Sequence, residues 1–229
     1  MYELFIANKN YSSWSLRPWV LMKALGIPFE ERLIPFVGAG RANFEAFRNV
    51  SPTGKMPCLK DGDTVVWDSL AIAEYVNERH PGVWPADQKA RAWARSAAAE
   101  MHSGFQSLRG ACNMNCGIRV KMKSVPDGVT QDLARLGELW NEGLQKFGGP
   151  FLAGKDFSNA DAFFCPVAYR VQTYGLTLDD ESSAYVKRLL ALPAMRDWYE
   201  AGLAEKTRIA HYDAESRAAG EVTEDFRAT

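Results

Sequence analysis

The 229-residue chain lacks the features that mark several large classes of protein. It has no apolar run of the roughly 20 residues that a membrane-spanning helix needs. Its 27 basic and 28 acidic residues leave a net charge of −1, without the positive excess that nucleic-acid binding usually needs. No basic stretch followed by an apolar run opens the chain, so no signal peptide is predicted. We therefore expect neither a membrane nor a nucleic acid among its partners.

Cysteine and histidine are also scarce, with four and three residues. The cysteines are scattered along a long chain, which argues against a disulfide framework and favours a reducing, cytoplasmic compartment. Cys112 and Cys116 are close enough to share one helix face, but no histidine adjoins them. We therefore predict no metal site.

The first part of the chain alternates between strand and helix patterns. Residues 2–7 and 28–34 have the composition of short strands. Between them, apolar residues recur at helical spacing from Leu16 to Ala24, with Ser15 as a possible N-cap that places Pro18 in the first turn. A strand, a helix and a strand in this order predict two parallel strands joined by a right-handed crossover.

A second group of elements follows at residues 43–76. Residues 43–49 suggest a short helix, and two strand-like runs at 56–59 and 64–67 flank Asp61-Gly62, a strong hairpin signal. A further helix begins at Asp68. The order is thus βαβ followed by αββα.

Residues 81–87 carry two prolines and a glycine without periodicity, and we place a domain boundary there. This gives a first domain at 1–80, an all-helical domain at 88–212, and a polar tail at 213–229 that we expect to be loosely ordered or to lie on the surface. The predicted helical stretches are 88–111, 130–147, 159–174, 182–191 and 194–204.

Four short motifs stand out against this background. They are Ser12-Ser13-Trp14-Ser15-Leu16-Arg17, Met56-Pro57, Asp68-Ser69-Leu70-Ala71-Ile72 and Ser158-Asn159-Ala160-Asp161. With the order of the elements, they make the chain resemble the glutathione transferase superfamily from about residue 2 to 205. The resemblance implies an α/β thioredoxin-like N-terminal domain with a cis-proline and an all-α C-terminal helical bundle. It also implies glutathione as co-substrate, a small electrophile as second substrate, a role in detoxification, and a homodimer.

The serine motif suits thiol chemistry with a thiol that the ligand supplies. Thioredoxins place Cys-x-x-Cys at the start of their first helix, where the helix dipole stabilises a thiolate, whereas this chain has serines there. A hydrogen bond from a serine to a thiolate is worth about 1.5–3 kcal/mol. That lowers the pKa of the thiol by about one to two units, so bound glutathione is ready to attack an electrophile.

Either of two serines can supply this hydrogen bond. The motif is similar to the Ser-Ser-x-Ser-x-Arg pattern of zeta-class transferases, in which the first serine activates the thiol, and this favours Ser12. Ser13 lies one residue nearer to the helix and could equally direct its hydroxyl at the sulfur. Ser13 or Ser15 could also merely cap the helix, as serine often does.

The next two motifs match glutathione-binding positions of the family. A cis-Pro57 would leave the backbone of Met56 free to pair with the cysteinyl backbone of glutathione. Ser69, at the start of a helix, would bind the γ-glutamyl carboxylate, and Asp68 the γ-glutamyl amine. Lys55 could reach the other carboxylate. The fourth motif, Ser158 with Asp161, is a variant capping box that we assign to folding.

The second substrate is expected between the serine loop and the first C-terminal helix. The residues predicted to line this side are Trp14, Arg17, Met101, His102, Phe105 and Arg109. Some of the residues on that helix could instead face a second subunit, because dimers of the family pack there.

Three other functions remain open from the sequence. The first is the zeta-class activity of maleylacetoacetate isomerase; the arginine that this class carries after the capping box falls at Thr173 here, with Arg170 one turn earlier. The second is a non-catalytic module that uses the same scaffold for protein contacts. A cysteine-dependent thiol transferase is disfavoured, because the loop has no cysteine and Cys58 lies past the proline.

Overall fold

The computed structural model describes residues 1–38 and 40–227, and the first 80 residues fold around a four-stranded mixed sheet. The elements are β1 (Tyr2–Ile6), α1 (Ser13–Ala24), β2 (Phe29–Leu33), α2 (Arg41–Phe47), β3 (Cys58–Asp61), β4 (Thr64–Trp67) and α3 (Ser69–Asn77). The strand order is β2-β1-β3-β4; β1 is parallel to β2, and the other pairs are antiparallel. The thioredoxin-like domain is confirmed, and the Met56–Pro57 peptide bond is cis as predicted.

Helix α1 begins at Ser13, about one turn earlier than the sequence predicted with Ser15 as the N-cap. Ser12 is the N-cap, and its Oγ accepts the N–H of Ser15 at 3.4 Å. Pro18 therefore lies inside the helix and not in its first turn. At this interior position proline has no N–H to donate, so the helix lacks one hydrogen bond. The helix is buried over most of its length, because it packs against α3 on one side and against the C-terminal domain on the other.

The second domain is dominated by helices. They are α4 (Gln88–Ser103), α5 (Gln106–Ala111), α6 (Asp127–Phe147), α7 (Asn159–Tyr174), α8 (Asp180–Ala191), α9 (Pro193–Ala204) and α10 (Ala210–Ala219). The first of these starts after Asp87, whose side chain accepts the N–H of Ala90. The proline-bearing connector 81–87 thus separates α3 from α4. Within the described residues, each helix is too short or too polar to cross a membrane.

The predicted helix at 88–111 is two helices. Gly104 ends α4 with an extended backbone, and Phe105 adopts a left-handed conformation with φ 55° before α5 begins. A Cβ at Gly104 would lie 2.7 Å from the carbonyl oxygen of Glu100, so the turn needs glycine. The sequence pattern missed this break because apolar residues continue at helical spacing across it.

The tail at 213–229 was expected to be loosely ordered or to lie on the surface; its described part is regular structure in which most residues are exposed. Residues 210–219 form α10, and β6 (Gly220–Asp225) pairs antiparallel with β5 (Ile118–Met122). Asp213 and Ser216 are buried. The helical domain therefore also carries a two-stranded sheet, which local composition could not predict because its strands are about 100 residues apart.

The two domains share one apolar core. Leu4, Leu16 and Ile72 of the first domain belong to the same buried cluster as Phe163 and Trp198 of the second. Helix α1 contacts α7 and α9 as well as α3. The N-terminal end of α1, with its serines, is consequently held at the junction of the domains.

Candidate active site

A cavity of about 870 Å³ opens at the junction between the domains, a size that suits a small-molecule site. The first domain contributes the serine turn, the cis-proline loop and the start of α3, and the second contributes α5, α7 and α10. Among the lining residues are Tyr11, Ser12, Ser13, Trp14, Lys55, Met56, Pro57, Asp68, Ser69, Arg109, Asn113, Arg170, Tyr212 and Glu215. All seven residues predicted for thiol activation and glutathione binding therefore lie around one cavity.

The two candidate serines differ in their surroundings. Ser12 is 5% exposed, and its hydroxyl donates to Oγ of Ser15 at 2.7 Å. Ser15 in turn accepts the N–H of Ala7 at 3.1 Å. Ser13 is half-buried at the first position of α1, and its hydroxyl has no partner in the described part of the chain. The N–H of Trp14 likewise has no acceptor among the described residues, so the positive end of the helix faces the cavity.

The cis-proline loop offers backbone groups to a ligand. Met56 is buried beside the cavity, and β3 begins only at Cys58. Neither the N–H nor the C=O of Met56 is paired with another described residue. Lys55 is exposed at the rim of the cavity. These open groups can accept an added strand, with a cation beside it.

The start of α3 combines backbone strain with an unpaired hydroxyl. Asp68 has φ 74°, a left-handed conformation that is uncommon for residues other than glycine and often marks a functional site. Its Oδ1 accepts the N–H of Leu70 at 2.8 Å, while Oδ2 lies 3.4 Å from Nε2 of His102. Ser69 is 1% exposed, and its Oγ has no partner in the described chain. Such a helix start can bind a carboxylate.

Two arginines face the cavity from the helical domain. Arg109 on α5 donates to the carbonyls of His102 and Gly104, and its guanidinium lies 4.7 Å from the Trp14 ring centre. Arg170 on α7 donates to the carbonyl of Cys112 at 2.8 Å. Burial, with the charge of Arg109, lowers the pKa of Arg170 to about 10, so it stays protonated at neutral pH. Within the described residues neither arginine has a carboxylate partner.

Four residues predicted on the second-substrate side do not line the cavity. Arg17 is 2% exposed behind Trp14, between that ring at 4.2 Å and the Phe163 ring at 4.7 Å. Met101 and Phe105 are buried in the core because the helix breaks after Ser103. His102 packs edge-on against Trp14 and reaches Asp68 instead, and burial lowers its pKa. Trp14 and Arg109 do line the cavity.

Several lining residues were not predicted. Tyr11 directly precedes the serine motif, and Arg170 is an arginine in the strongly apolar helix α7, so both had a local signal. Asn113, Tyr212 and Glu215 had none, because the fold brings Asn113 to the cavity from a loop and the other two from α10, which was not among the predicted helices.

The cysteines are remote from this chemistry. All four are free and buried, and burial raises the pKa of each thiol. Cys58 begins β3 and donates to the carbonyl of Val50. No group of histidine, cysteine and carboxylate side chains within the described residues is arranged to hold a metal ion.

Comparison with known sequences identifies relatives for most of the chain. The family model described as the glutathione S-transferase N-terminal domain matches residues 11–79. Maleylacetoacetate isomerase of Mus musculus is 30% identical over 196 residues, which cover 82% of this chain and 88% of that protein. A zeta-class glutathione S-transferase of Euphorbia esula is 30% identical over 162 residues, covering 68% and 70%.

Solved structures share the fold. A glutathione transferase homologue from Burkholderia, with bound glutathione, superposes with a TM-score of 0.66 at 23% identity and covers 88% of this chain and 97% of that one. Human glutathione S-transferase T1-1 gives a TM-score of 0.63 at 24% identity, with coverage of 88% and 87%. At these identities the likeness speaks for the architecture alone.

Proposed function

The chain belongs to the glutathione transferase superfamily, and from that premise we propose that it ionises the thiol of glutathione at the start of α1 for attack on a small electrophile. Glutathione is the co-substrate. The observation that carries the proposal is the cavity itself. It gathers the serine turn, the Met56 backbone and the Ser69 hydroxyl around one space, and the last two have no partner among the residues that the structure describes.

We assign the activating hydrogen bond to Ser12. Ser12 and Ser15 are both hydroxyls 2.7 Å apart, so the bond between them can run in either direction. The contact with Ala7 uses only a lone pair of the Ser15 oxygen, because Ala7 is the donor, so the Ser15 hydroxyl proton stays available. When Ser15 donates to Ser12, the Ser12 proton is released toward a sulfur in the cavity. The reversal needs only the rotation of two hydroxyl groups.

The chemistry then follows from holding the sulfur as an anion. The thiol loses its proton to solvent, and the Ser12 hydroxyl and the positive end of α1 stabilise the thiolate. The sulfur forms a bond to the electrophilic carbon as the leaving group departs with its electron pair. Together these interactions lower the pKa of the thiol by about one to two units, so a large share is ionised at neutral pH.

The remaining polar groups hold the tripeptide in place for this step. In our assignment, Met56 pairs with the cysteinyl backbone, Ser69 binds the γ-glutamyl carboxylate, and Asp68 meets the γ-glutamyl amine. Lys55 meets the glycyl carboxylate at the rim. This arrangement is supported by the Met56 backbone groups and the Ser69 hydroxyl, which find no partner within residues 1–38 and 40–227.

Replacing the two serines separately tests the assignment. We expect Ser12→Ala to lower turnover by about tenfold or more while glutathione still binds, because the thiol pKa returns toward its free value. Ultraviolet absorbance of the thiolate across a pH series measures that pKa directly. Unchanged kinetics in Ser12→Ala with an inactive Ser13→Ala would move the role to Ser13, whose residue is half-buried at the first position of α1 and lines the cavity. Glutathione binding without any thiolate in the wild type would support the non-catalytic module instead.

A glutathione-dependent cis-trans isomerase is the second candidate. It is favoured by Arg109 and Arg170, two cations that line the cavity without a carboxylate partner among the described residues and could bind an acidic substrate. Thr173 is buried and donates to the carbonyl of Asn115, so Arg170 is the α7 side chain on this wall. Turnover of a cis-diketo acid, compared with conjugation of a chlorodinitrobenzene-type compound, separates the two activities.

We further propose that the protein is a cytoplasmic homodimer that acts in detoxification. Four free cysteines agree with a reducing compartment. Light scattering at working concentration should give twice the mass of the 25.5 kDa chain, and a monomer mass would contradict the dimer.

A further inference from the structure

The C-terminal segment folds back against the serine turn. We name residues 209–227 the C-terminal brace; it consists of Ile209, α10, β6 and the two residues that follow. Strand β6 pairs with β5, and the N–H of Phe226 then donates to the carbonyl of Gly117 at 2.9 Å. This pairing brings Arg227 beneath the loop that precedes α1.

Arg227 is buried, and its side chain packs directly against Gly117. A Cβ at Gly117 would lie 2.3 Å from Cγ of Arg227 and 2.9 Å from its Cδ. The guanidinium donates to the carboxylate of Asp225, at 2.8 and 2.6 Å, and to Asp213 Oδ1 at 2.6 Å. It also donates to the hydroxyl of Tyr11 at 3.0 Å. The side chains of Arg227 and Asp213 are 4% and 9% exposed, so the pair between them is screened little by solvent, whereas the Asp225 carboxylate is 44% exposed.

Tyr11 connects that network to the serines. It is the residue before Ser12, it is 4% exposed, and its ring lines the cavity and stacks on Tyr212 of α10 with centroids 5.4 Å apart. Its hydroxyl donates to Asp213 at 3.1 Å and accepts from Arg227 and from the N–H of Ile209. The hydroxyl is thus fully used within the brace. It can fix the position of the turn, but it has no proton to offer a sulfur.

We propose that Arg227 is a positioning residue, which acts through Tyr11 to hold the serine turn at hydrogen-bond distance from the glutathione sulfur. The inference rests on the proposed function. A serine stabilises a thiolate only while its oxygen stays within a few tenths of an ångström of the required position. The turn is a loop between β1 and α1, and loops hold such positions only when other contacts tie them down.

Replacing Arg227 should therefore change the pKa of the bound thiol and not only the stability of the protein. We expect Arg227→Met to raise the pKa of the bound thiol by about one unit and to lower kcat/KM at neutral pH by about tenfold, with KM for glutathione nearly unchanged. Arg227→Lys should recover part of both effects. The control Arg217→Met removes an exposed arginine of α10, within the same C-terminal brace, and should match the wild type.

The pH at which half of the bound thiol is ionised distinguishes an effect on the position of the serine turn from a loss of protein stability. Partial unfolding reduces the number of active molecules but leaves the midpoint of the survivors unchanged, and Val186→Ala in α8 supplies a destabilised control of that kind. The variant leaves in place the other charged groups that face the sulfur from the loops and from α5, α7 and α10. These are Lys55, Asp68, Arg109, Arg170 and Glu215. A midpoint that shifts in Arg227→Met and also in Tyr11→Phe, which keeps the charge of Arg227, therefore reports a moved serine.

Two further variants address the case in which Arg227→Met does not fold. Tyr11→Phe keeps the aromatic ring and the Arg227–Asp213 pair but removes the hydroxyl that accepts a hydrogen bond from Arg227. Gly117→Ala adds a Cβ that displaces the aliphatic part of the Arg227 side chain. Each should shift the thiol midpoint in the same direction as Arg227→Met. A wild-type midpoint in both variants, or in a folded Arg227→Met, would overturn the inference. No thiolate in the wild type itself would overturn the proposed function, and this inference with it.

Discussion

The Ser69 hydroxyl is buried at the N-terminus of α3 and has no partner in the described part of the chain. Burying a hydroxyl without a hydrogen-bond partner destabilises the folded protein. A ligand in the adjacent cavity that supplies the partner is the best explanation for such a hydroxyl. A carboxylate is the group that a helix start and a hydroxyl together bind well. At the scale of one residue, this open group predicts where the γ-glutamyl end of glutathione binds.

Ser69→Ala should consequently raise KM for glutathione by about tenfold or more, because one hydrogen bond to a charged group is lost. We expect kcat to change little, since Ser69 is remote from the thiol. Steady-state kinetics with glutathione varied at a saturating electrophile measures both constants. Ser183→Ala removes a half-buried serine of α8 outside the cavity and serves as the control. An equal rise of KM in the two variants would contradict the assignment.

At the scale of elements, helix α7 depends on the capping box that the sequence predicted. Asp161 is fully buried; it accepts the N–H of Ser158 and of Leu152 at 2.9 Å and the hydroxyl of Tyr185 at 2.9 Å. The box is thus confirmed, and it also ties a preceding loop and α8 to the start of α7. Because α7 carries Arg170 and packs on α1, its placement also positions one wall of the cavity.

Asp161→Asn should lower the free energy of unfolding by about 2–4 kcal/mol, since an amide cannot accept all of these hydrogen bonds and leaves buried donors unpaired. Urea denaturation followed by tryptophan fluorescence gives the value. Asp156→Asn, an exposed change in the preceding loop, should stay within about 0.5 kcal/mol of the wild type. Equal stabilities of the two variants would show that the box is dispensable.

At the scale of the whole molecule, Glu205 joins the two domains. It follows α9, and its carboxylate accepts the backbone N–H of Lys9 at 2.7 Å and the side-chain amide of Asn8 at 3.3 Å. Burial raises the pKa of Glu205 above its ordinary value near 4.5. The folded protein therefore holds this proton to a higher pH than the unfolded chain does. The resulting stabilisation is complete below pH 4.5 and is lost as the pH rises through the raised pKa.

Thermal unfolding across a pH series should show this loss. We expect the Tm of the wild type, relative to that of Glu205→Gln, to fall as the pH rises from 4.5 toward neutrality, because glutamine does not titrate. Glu200→Gln changes an exposed residue of α9 and should follow the wild type at every pH. Parallel curves for the wild type and Glu205→Gln would show that the carboxylate titrates alike in both states.

What the sequence by itself determined is local. The hairpin around Gly62 and the capping box at Ser158 each follow from the chemistry of a few neighbouring residues, so they could be predicted without a fold. The cis bond before Pro57 was implied by the family resemblance and not by local chemistry, because most bonds before proline are trans. The four motifs and the order of the elements together carried the resemblance to the superfamily, and that resemblance implied glutathione as co-substrate.

What only the tertiary structure decided depends on residues that are far apart in the chain. The break before Phe105, the reach of Arg170 into the cavity and the return of Arg227 to Tyr11 arise from packing between elements up to 216 residues apart. Composition made the end of the chain look like a loose polar tail. Asp213, Asp225 and Arg227 are instead partners for one another, and Arg227 and Asp213 also bind the Tyr11 hydroxyl beside the serine turn. A network of this kind requires groups from distant segments, which no local pattern can bring together.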